Sequence, residues 1–190
     1  MISPNPLAPA GLALPQDPNA LAPHVWPASA RHTADGGIEV AGVALADLAE
    51  RHGTPLYVVD ETEARTRAAR VLTAFRGAAA AAGAAAHVYY AGKSFLAAGV
   101  VRWMLDEGLR IDVCTGGELA LALAAGAPAA ALGLHGNNKS DAELDAAVGA
   151  GIGAIVLDSA EEVGRVADVA ARHGRVQPVR LRVNLSLIHI

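Results

Sequence analysis

The segment HVYYAGKSF, residues 87–95, is the first of five similar segments that decide the fold. An apolar, aromatic run typical of a buried strand ends at a glycine, and a lysine follows at once. Comparable apolar runs begin near His87, Arg110, Ala131, Ala154 and Pro178, at spacings of 23, 21, 23 and 24 residues. Strands at so short a period, with helical stretches between them, are typical of repeated βαβ units and a parallel sheet.

The stretches between these runs are predicted to be helices, over 95–108, 117–126, 140–150 and 160–173. Three of them begin with a hydroxyl residue that is followed three positions later by glutamate, which is the capping-box pattern: Thr115 with Glu118, Ser140 with Glu143, and Ser159 with Glu162. Glycine closes most of these helices, as helix C-termini favour. We therefore expect each strand to be followed by its own helix.

Upstream of the repeat, DGGIEVAGVALADLAERHG (35–53) is typical of a short strand, a turn and a helix that ends at Gly53. TPLYVVDE (54–61) predicts a strand, and Asp60 is placed to cap a long helix over 61–82. The domain organisation predicted from these patterns has three parts. They are a Pro-rich lead-in with an N-terminal β/α segment (1–50), a partial (β/α) barrel (51–184) and an atypical end (185–190).

Two α/β architectures are compatible with such a repeat. A doubly wound open sheet fits a chain of 190 residues. A (β/α)8 barrel takes roughly 250 residues, so a barrel built from these five strands would be an incomplete one. The spacing alone leaves both architectures open.

The overall composition indicates which kinds of binding partner and which cellular compartment suit the chain. The formal net charge is −4 and no run of Lys or Arg occurs, which argues against a nucleic-acid partner and against an anionic membrane surface. Cys114 is the single cysteine, so no internal disulfide and no zinc-type cysteine cluster is expected. The N-terminus lacks the charged start of a signal peptide. A reducing, cytoplasmic setting is the expectation.

The first strand exit places Lys93 just beyond the carboxyl end of its strand. In parallel α/β folds that edge is where active sites lie. A partly desolvated lysine there can act as an amine nucleophile toward an aldehyde. The alternative is a solvated lysine on a loop.

The second strand exit, RIDVCTGGELAL (110–121), contains two acidic candidates. Asp112 interrupts an apolar run, and because a buried unpaired carboxylate is unfavourable, it is expected to face a polar interior or to be paired. Glu118 also has a simple explanation as the capping-box partner of Thr115. Cys114 is expected to be a small buried hydrophobic residue rather than a nucleophile.

Polar residues also follow the third strand, and arginines lie in the fifth. The stretch HGNNKS (135–140) brings His135 to the same rim, although its residue types also suit an ordinary turn. Arg180 and Arg182 share one face of the last strand. An arginine inside an apolar strand needs an anionic partner, either a carboxylate or a ligand phosphate.

Together these motifs resemble the pyridoxal-phosphate-dependent diaminopimelate decarboxylases, within the group that includes alanine racemase and ornithine decarboxylase. The similar stretches follow in order over roughly residues 50–184: GTPLYVVDE, YYAGKSF, LRIDVCTGGELALAL, LHGNNKSDAEL and IVLDSAEEV. DVCTGGEL and HGNNKS are the more specific pair. The resemblance implies an incomplete TIM-type barrel, with about five of eight strands and without the family's C-terminal β-domain.

The resemblance also implies roles for particular residues. Lys93 matches the lysine that holds pyridoxal phosphate as a Schiff base, and it is the expected catalytic residue. Asp112 and Glu118 match acidic positions close to that lysine, and Arg182 matches a cofactor-side arginine. His135 joins them as a cofactor-binding candidate at the same rim, and no metal is expected. The implied reaction is decarboxylation of meso-2,6-diaminopimelate, an amino-acid substrate, to L-lysine by a homodimer.

The chain departs from the family pattern after about residue 184. Its ending, LRVNLSLIHI, lacks the Pro-Gly and the His-containing segment that are typical there. We expect this ending to be artefactual and the 190-residue chain alone to be inactive. The alternatives are an ornithine- or arginine-type decarboxylase or a racemase, a non-catalytic pyridoxal-phosphate-binding barrel, and an aldolase-type barrel in which Lys93 acts without the cofactor.

Overall fold

The computed structural model describes residues 17–183, so the predicted atypical ending (185–190) and the start of the Pro-rich lead-in lie outside the described residues. Two compact units are present, one up to Glu63 and the other from Ala64 onward. The first contains a small antiparallel sheet and one helix: β1 (Arg31–His32), β2 (Ile38–Val40), β3 (Val43–Ala44) and α1 (Leu45–His52). Helix α1 ends at Gly53, as predicted, and the φ of 80° at this residue suits glycine.

The strand predicted over 54–61 is wrong. This segment forms neither a helix nor a strand up to Asp60, because no strand of residues 17–183 pairs with it and a strand needs a hydrogen-bonded neighbour. Its apolar side chains are largely exposed, with Tyr57 at 91%. The predicted cap is confirmed, because Asp60 Oδ1 accepts a hydrogen bond from the Glu63 backbone N–H at 3.1 Å. Helix α2 (Glu61–Ala81) begins at this cap.

The second unit contains the predicted repeat. Its five strands are β4 (Tyr89–Ala91), β5 (Arg110–Val113), β6 (Leu132–Leu134), β7 (Ala154–Leu157) and β8 (Val179–Leu181). Its helices after α2 are α3 (Ala98–Asp106), α4 (Gly116–Ala124), α5 (Asp141–Ala150) and α6 (Ala160–Arg172). The strands are parallel and pair in chain order from β4 to β8. A doubly wound sheet would reverse its strand order, so the sheet is of the barrel type.

Strands β4 and β8 form opposite edges of this sheet, yet the Tyr89 and Arg180 side chains are in contact, with Arg180 Nη2 at 2.8 Å from Tyr89 Oη. Neighbouring strands lie about 4.8 Å apart, so these two strands would be about 19 Å apart in a flat sheet. The sheet is therefore strongly curled, as in a barrel, and the face that bears Tyr89 and Arg180 is concave.

The two faces of the curled sheet differ in chemistry. The convex face packs against the helices through fully buried side chains: Ile111, Val113, Leu132, Leu134 and Ile155. Each such side chain contributes roughly 1.5–3 kcal/mol through burial. Because side chains alternate along a strand, Arg110 and Asp112 project from the concave face. The fold thus separates an apolar core from a polar concave surface.

The helix N-termini confirm one predicted capping box and modify two. In all three, the hydroxyl accepts a hydrogen bond from the backbone N–H of the glutamate. Only Glu143 returns a hydrogen bond to its N-cap, Ser140. Glu118 and Glu162 instead accept from the residue before the N-cap, Cys114 N–H and Asp158 N–H. The backbone at the N-cap residues differs in the same way. The φ angle is −71° at Ser140, but −139° at Thr115 and −144° at Ser159.

Glu143 also connects two repeats. Its Oε2 accepts from Ser140 N–H at 2.8 Å, and its Oε1 accepts from Gly116 N–H, at the start of α4, at 2.7 Å. One carboxylate therefore satisfies free backbone donors at the first turns of both α4 and α5.

Within residues 17–183, no helix has the length and apolar character needed to cross a bilayer.

Candidate active site

Lys93 lies in a single 3-10 turn, Gly92–Ser94, directly after β4. Ser94 Oγ donates to the Ala91 carbonyl at 2.8 Å and fixes this turn. A Cβ at Gly92 would lie 2.8 Å from the Asp112 carbonyl oxygen, so only glycine allows the turn to approach β5 this closely. Among residues 17–183, no hydrogen bond or ion pair engages the Lys93 ammonium, which is exposed at the carboxyl edge of the sheet.

Asp112 and His135 are in contact beside this turn, with His135 Nε2 at 3.2 Å from Asp112 Oδ1. Gly133 makes room for it, because a Cβ there would lie 3.3 Å from the same carboxylate oxygen. Burial raises the pKa of Asp112 above its ordinary range, and the positive charges of His135, Lys93 and Arg180 oppose that rise. The structure therefore brings Lys93, Asp112 and His135 together at the ends of three neighbouring strands.

Glu118 and Cys114 lie at the exit of β5. Glu118 Oε2 accepts from the Cys114 backbone N–H at 2.5 Å, so the carboxylate supports the strand-to-helix turn. Burial first, then the charges of Glu118 and Asp112, raise the pKa of the Cys114 thiol. A thiol with a raised pKa is a poor nucleophile, which agrees with the expectation that Cys114 is not one, although the residue is half-buried rather than buried.

Arg182 is separate from this group. Its Nη1 donates to Asn137 Oδ1 at 3.2 Å and to Asp158 Oδ1 at 3.1 Å. Asp158 is therefore the carboxylate that the sequence required for this arginine. Arg180 has a partner that the sequence did not indicate, because it donates to the Tyr89 hydroxyl, with the guanidinium 4.8 Å from the centre of the Tyr89 ring. The curvature of the sheet makes this partner available.

One buried lysine was not predictable from the sequence. Lys139, placed in a turn by its neighbours in HGNNKS, is 2% exposed. Its Nζ donates to both carboxylate oxygens of Glu162 at 3.0 Å and to the Gly136 carbonyl at 2.6 Å. No local pattern reveals this contact, since Glu162 is 23 residues away, but both residues follow neighbouring strands, β6 and β7. Lys93 and Lys139 are the two lysines of the chain.

The arrangement defines the class of protein: a barrel-type β/α protein with an accessible amine at the carboxyl edge of its sheet. A sequence profile of the family described as "Pyridoxal-dependent decarboxylase, pyridoxal binding domain" matches residues 68–189. The chain belongs to this family. The described residues suit the aldehyde end of pyridoxal phosphate, because Lys93 offers the amine and the Asp112–His135 pair lies beside it.

Curated relatives agree with the family. The chain is 47% identical over 167 residues to the diaminopimelate decarboxylase of Mycobacterium tuberculosis (strain ATCC 25618 / H37Rv), which covers 88% of this chain and 36% of that protein. It is 41% identical over 155 residues to the diaminopimelate decarboxylase of Bacillus subtilis (strain 168), covering 82% of this chain and 34% of that protein. The chain thus spans about a third of the length of the curated relatives it matches.

Solved structures share the fold. Diaminopimelate decarboxylase from M. jannaschii, in co-complex with L-lysine, has a TM-score of 0.75 at 29% identity, over 82% of this chain and 36% of that chain. The lysine/ornithine decarboxylase of Vibrio vulnificus, complexed with putrescine, has a TM-score of 0.61 at 26% identity, over 75% of this chain and 36% of that chain. The prediction of a partial TIM-type barrel is confirmed.

Proposed function

We propose that the protein containing this chain decarboxylates meso-2,6-diaminopimelate to L-lysine with pyridoxal phosphate, which is held by Lys93. The observation that carries the proposal is the contrast between the two lysines. Lys93 is exposed and free of hydrogen bonds to residues 17–183, whereas the Lys139 ammonium is buried and fully hydrogen-bonded. The similarity to curated diaminopimelate decarboxylases supports the choice of substrate.

The chemistry of the proposed reaction is divided between cofactor and protein. Pyridoxal phosphate, when bound, supplies the electron sink that allows the bond to the substrate carboxylate to break. Lys93 Nζ supplies the amine that holds the cofactor and must lose a proton to do so. Asp112 and His135 lie beside this lysine, and a proton can pass between the Asp112 carboxylate and His135 Nε2. Burial raises the pKa of Asp112. Glu118 fixes the turn that follows Asp112.

Reductive trapping tests the proposed role of Lys93. The protein is mixed with pyridoxal phosphate and treated with borohydride, which makes a lysine–cofactor linkage permanent, and its peptides are then mapped by mass. We expect the label on Lys93 and none on Lys139. Lys93→Arg keeps the positive charge and should abolish the label. A label on Lys139, or on both lysines equally, would contradict the proposal.

The same experiment separates the alternatives. Trapping of a carbonyl compound on Lys93 without the cofactor would favour an aldolase-type barrel. Cofactor labelling without release of carbon dioxide from any amino acid would favour a non-catalytic binding protein. Release from ornithine in preference to meso-2,6-diaminopimelate would favour an ornithine-type decarboxylase. We expect release from meso-2,6-diaminopimelate, with L-lysine as the product.

The assembly and the compartment are part of the proposal. We propose a homodimer in the cytoplasm, as the resemblance and the single cysteine suggest. We also propose that decarboxylation needs more than these 190 residues, because the curated relatives are about three times as long as the matched part. Measurement of lysine formation by the 190-residue chain alone would test this last point.

A further inference from the structure

Lys139 has a complete set of partners. Its three N–H groups match three acceptors, the two oxygens of Glu162 and the Gly136 carbonyl. Asp158 Oδ2 lies 3.8 Å from Lys139 Nζ, which is outside hydrogen-bond distance. Among the described residues this Oδ2 is a buried atom without a hydrogen bond. Lys139 is therefore committed to Glu162, and it acts on Asp158 through charge alone.

The Asp158 carboxylate pairs with a different cation, Arg182. Asp158 Oδ1 accepts from Arg182 Nη1 at 3.1 Å. Asp158 is 12% exposed, whereas Arg182 is 48% exposed at the end of β8. Two carboxylates and two cations thus form a balanced set, in which Lys139 pairs with Glu162 and Arg182 pairs with Asp158. The set lies at the exits of β6, β7 and β8, along the edge that carries Lys93.

We infer that Lys139 is a positioning residue, which neutralises Glu162 and thereby leaves Asp158 as the one carboxylate that Arg182 neutralises, at the carboxyl edge of the sheet. The relevance of this to cofactor binding rests on the proposed function. The effect of Lys139 on Arg182 does not, because it follows from the burial of these charges. A buried charge needs a partner, so the removal of one member forces the others to rearrange.

Removal of the Lys139 charge and removal of the Glu162 charge should move the Arg182 side chain in opposite directions. Without the Lys139 charge, Glu162 and Asp158 share one cation, and Arg182 is drawn inward. Without the Glu162 charge, Lys139 turns to Asp158, only 3.8 Å away, and competes with Arg182, which is released outward. A lysine that merely fills space would not reverse the direction of movement between the two variants.

Hydrogen exchange of the Arg182 guanidinium, followed by NMR without cofactor, tests this inference. The protein that contains this chain is compared with Lys139→Met, Glu162→Gln and the matched control Glu161→Gln, whose side chain is exposed on the same helix turn. We expect exchange several-fold slower in Lys139→Met, several-fold faster in Glu162→Gln and unchanged in Glu161→Gln. Arg182→Lys assigns the signals.

Movement in the same direction in both variants, or no change in either, would overturn the inference. Should Lys139→Met not fold, Glu162→Gln decides alone, since unchanged exchange there contradicts competition for Asp158. A second measurement, pyridoxal phosphate affinity, is expected to fall several-fold in both variants. Failure of wild-type protein to form the Lys93 label would reject the proposed function, while the exchange result would still stand or fall separately.

Discussion

Arg180 and Tyr89 join the two opposite edges of the parallel sheet across its concave face, at 2.8 Å between guanidinium and hydroxyl. Arg110 donates to the same hydroxyl at 3.1 Å. Burial raises the pKa of the Tyr89 phenol, but the hydrogen bonds and charges of Arg110 and Arg180 outweigh it, so the pKa lies below its ordinary value. A tyrosine therefore lies between two arginines of the concave face.

Removal of one of these guanidinium groups should raise the pKa of Tyr89. In Arg180→Leu, the phenol loses a hydrogen bond and a nearby positive charge, while its burial remains. Phenolate absorbance during a pH titration measures the change, and the difference from Tyr89→Phe isolates this residue. Arg182→Leu is the matched control, because Arg182 does not contact Tyr89. An unchanged titration in Arg180→Leu would refute the charge assignment.

Asp112→Asn should change how stability depends on pH. A carboxyl group whose pKa is raised in the folded state contributes stability that is fully present below the unfolded pKa of 3.8 and is lost as pH rises through the folded pKa. Asparagine does not titrate. The variant should therefore gain stability relative to wild type as pH rises from about 4 to 7 in urea unfolding experiments. A difference that shrinks over this range, or that equals the one for exposed Asp168→Asn, would contradict the sign.

The two lysines should respond very differently to methionine. Lys139→Met removes the counter-charge of buried Glu162 and leaves two carboxylates to share Arg182, so it should destabilise the fold by about 3–5 kcal/mol. Lys93→Met changes an exposed side chain and should stay within about 0.5 kcal/mol. Urea unfolding of both variants checks this contrast. Similar losses in the two variants would mean that the Lys139 contacts contribute little. In Lys139→Met combined with Glu162→Met, most of the loss should be recovered.

Gly136→Ala should destabilise the turn that carries the Lys139 acceptor. Gly136 has a φ of +111°, and a Cβ would lie 3.0 Å from the Cys114 carbonyl oxygen, so alanine meets both backbone strain and a tight contact. We expect a loss of about 1–3 kcal/mol. Gly164→Ala in α6, where a Cβ meets nothing within 4 Å, is the control and should gain about 0.5–1 kcal/mol. Thermal unfolding that ranks the two variants in the opposite order would reject the explanation.

The sequence predicted the repeat because strand and helix periods, capping residues and terminal glycines all act over a few neighbouring positions. The position of Lys93 at a strand exit was predictable for the same reason, since it directly follows a strand. The contacts that escaped prediction join distant positions. Lys139 meets Glu162 because β6 and β7 pair, and Tyr89 meets Arg180, 91 residues away, because the sheet curls. The segment 54–61 had the composition of a strand, but composition does not supply a pairing partner.

The Glu143 carboxylate, divided between Ser140 and Gly116, has a consequence for motion at the rim. Neither α4 nor α5 can fray at its first turn without withdrawing a hydrogen bond from the other. Local opening at one strand exit therefore favours opening at the next. The two turns should open and close as a single cooperative unit rather than as independent loops. The strand exits beside the exposed lysine would then fluctuate together rather than separately.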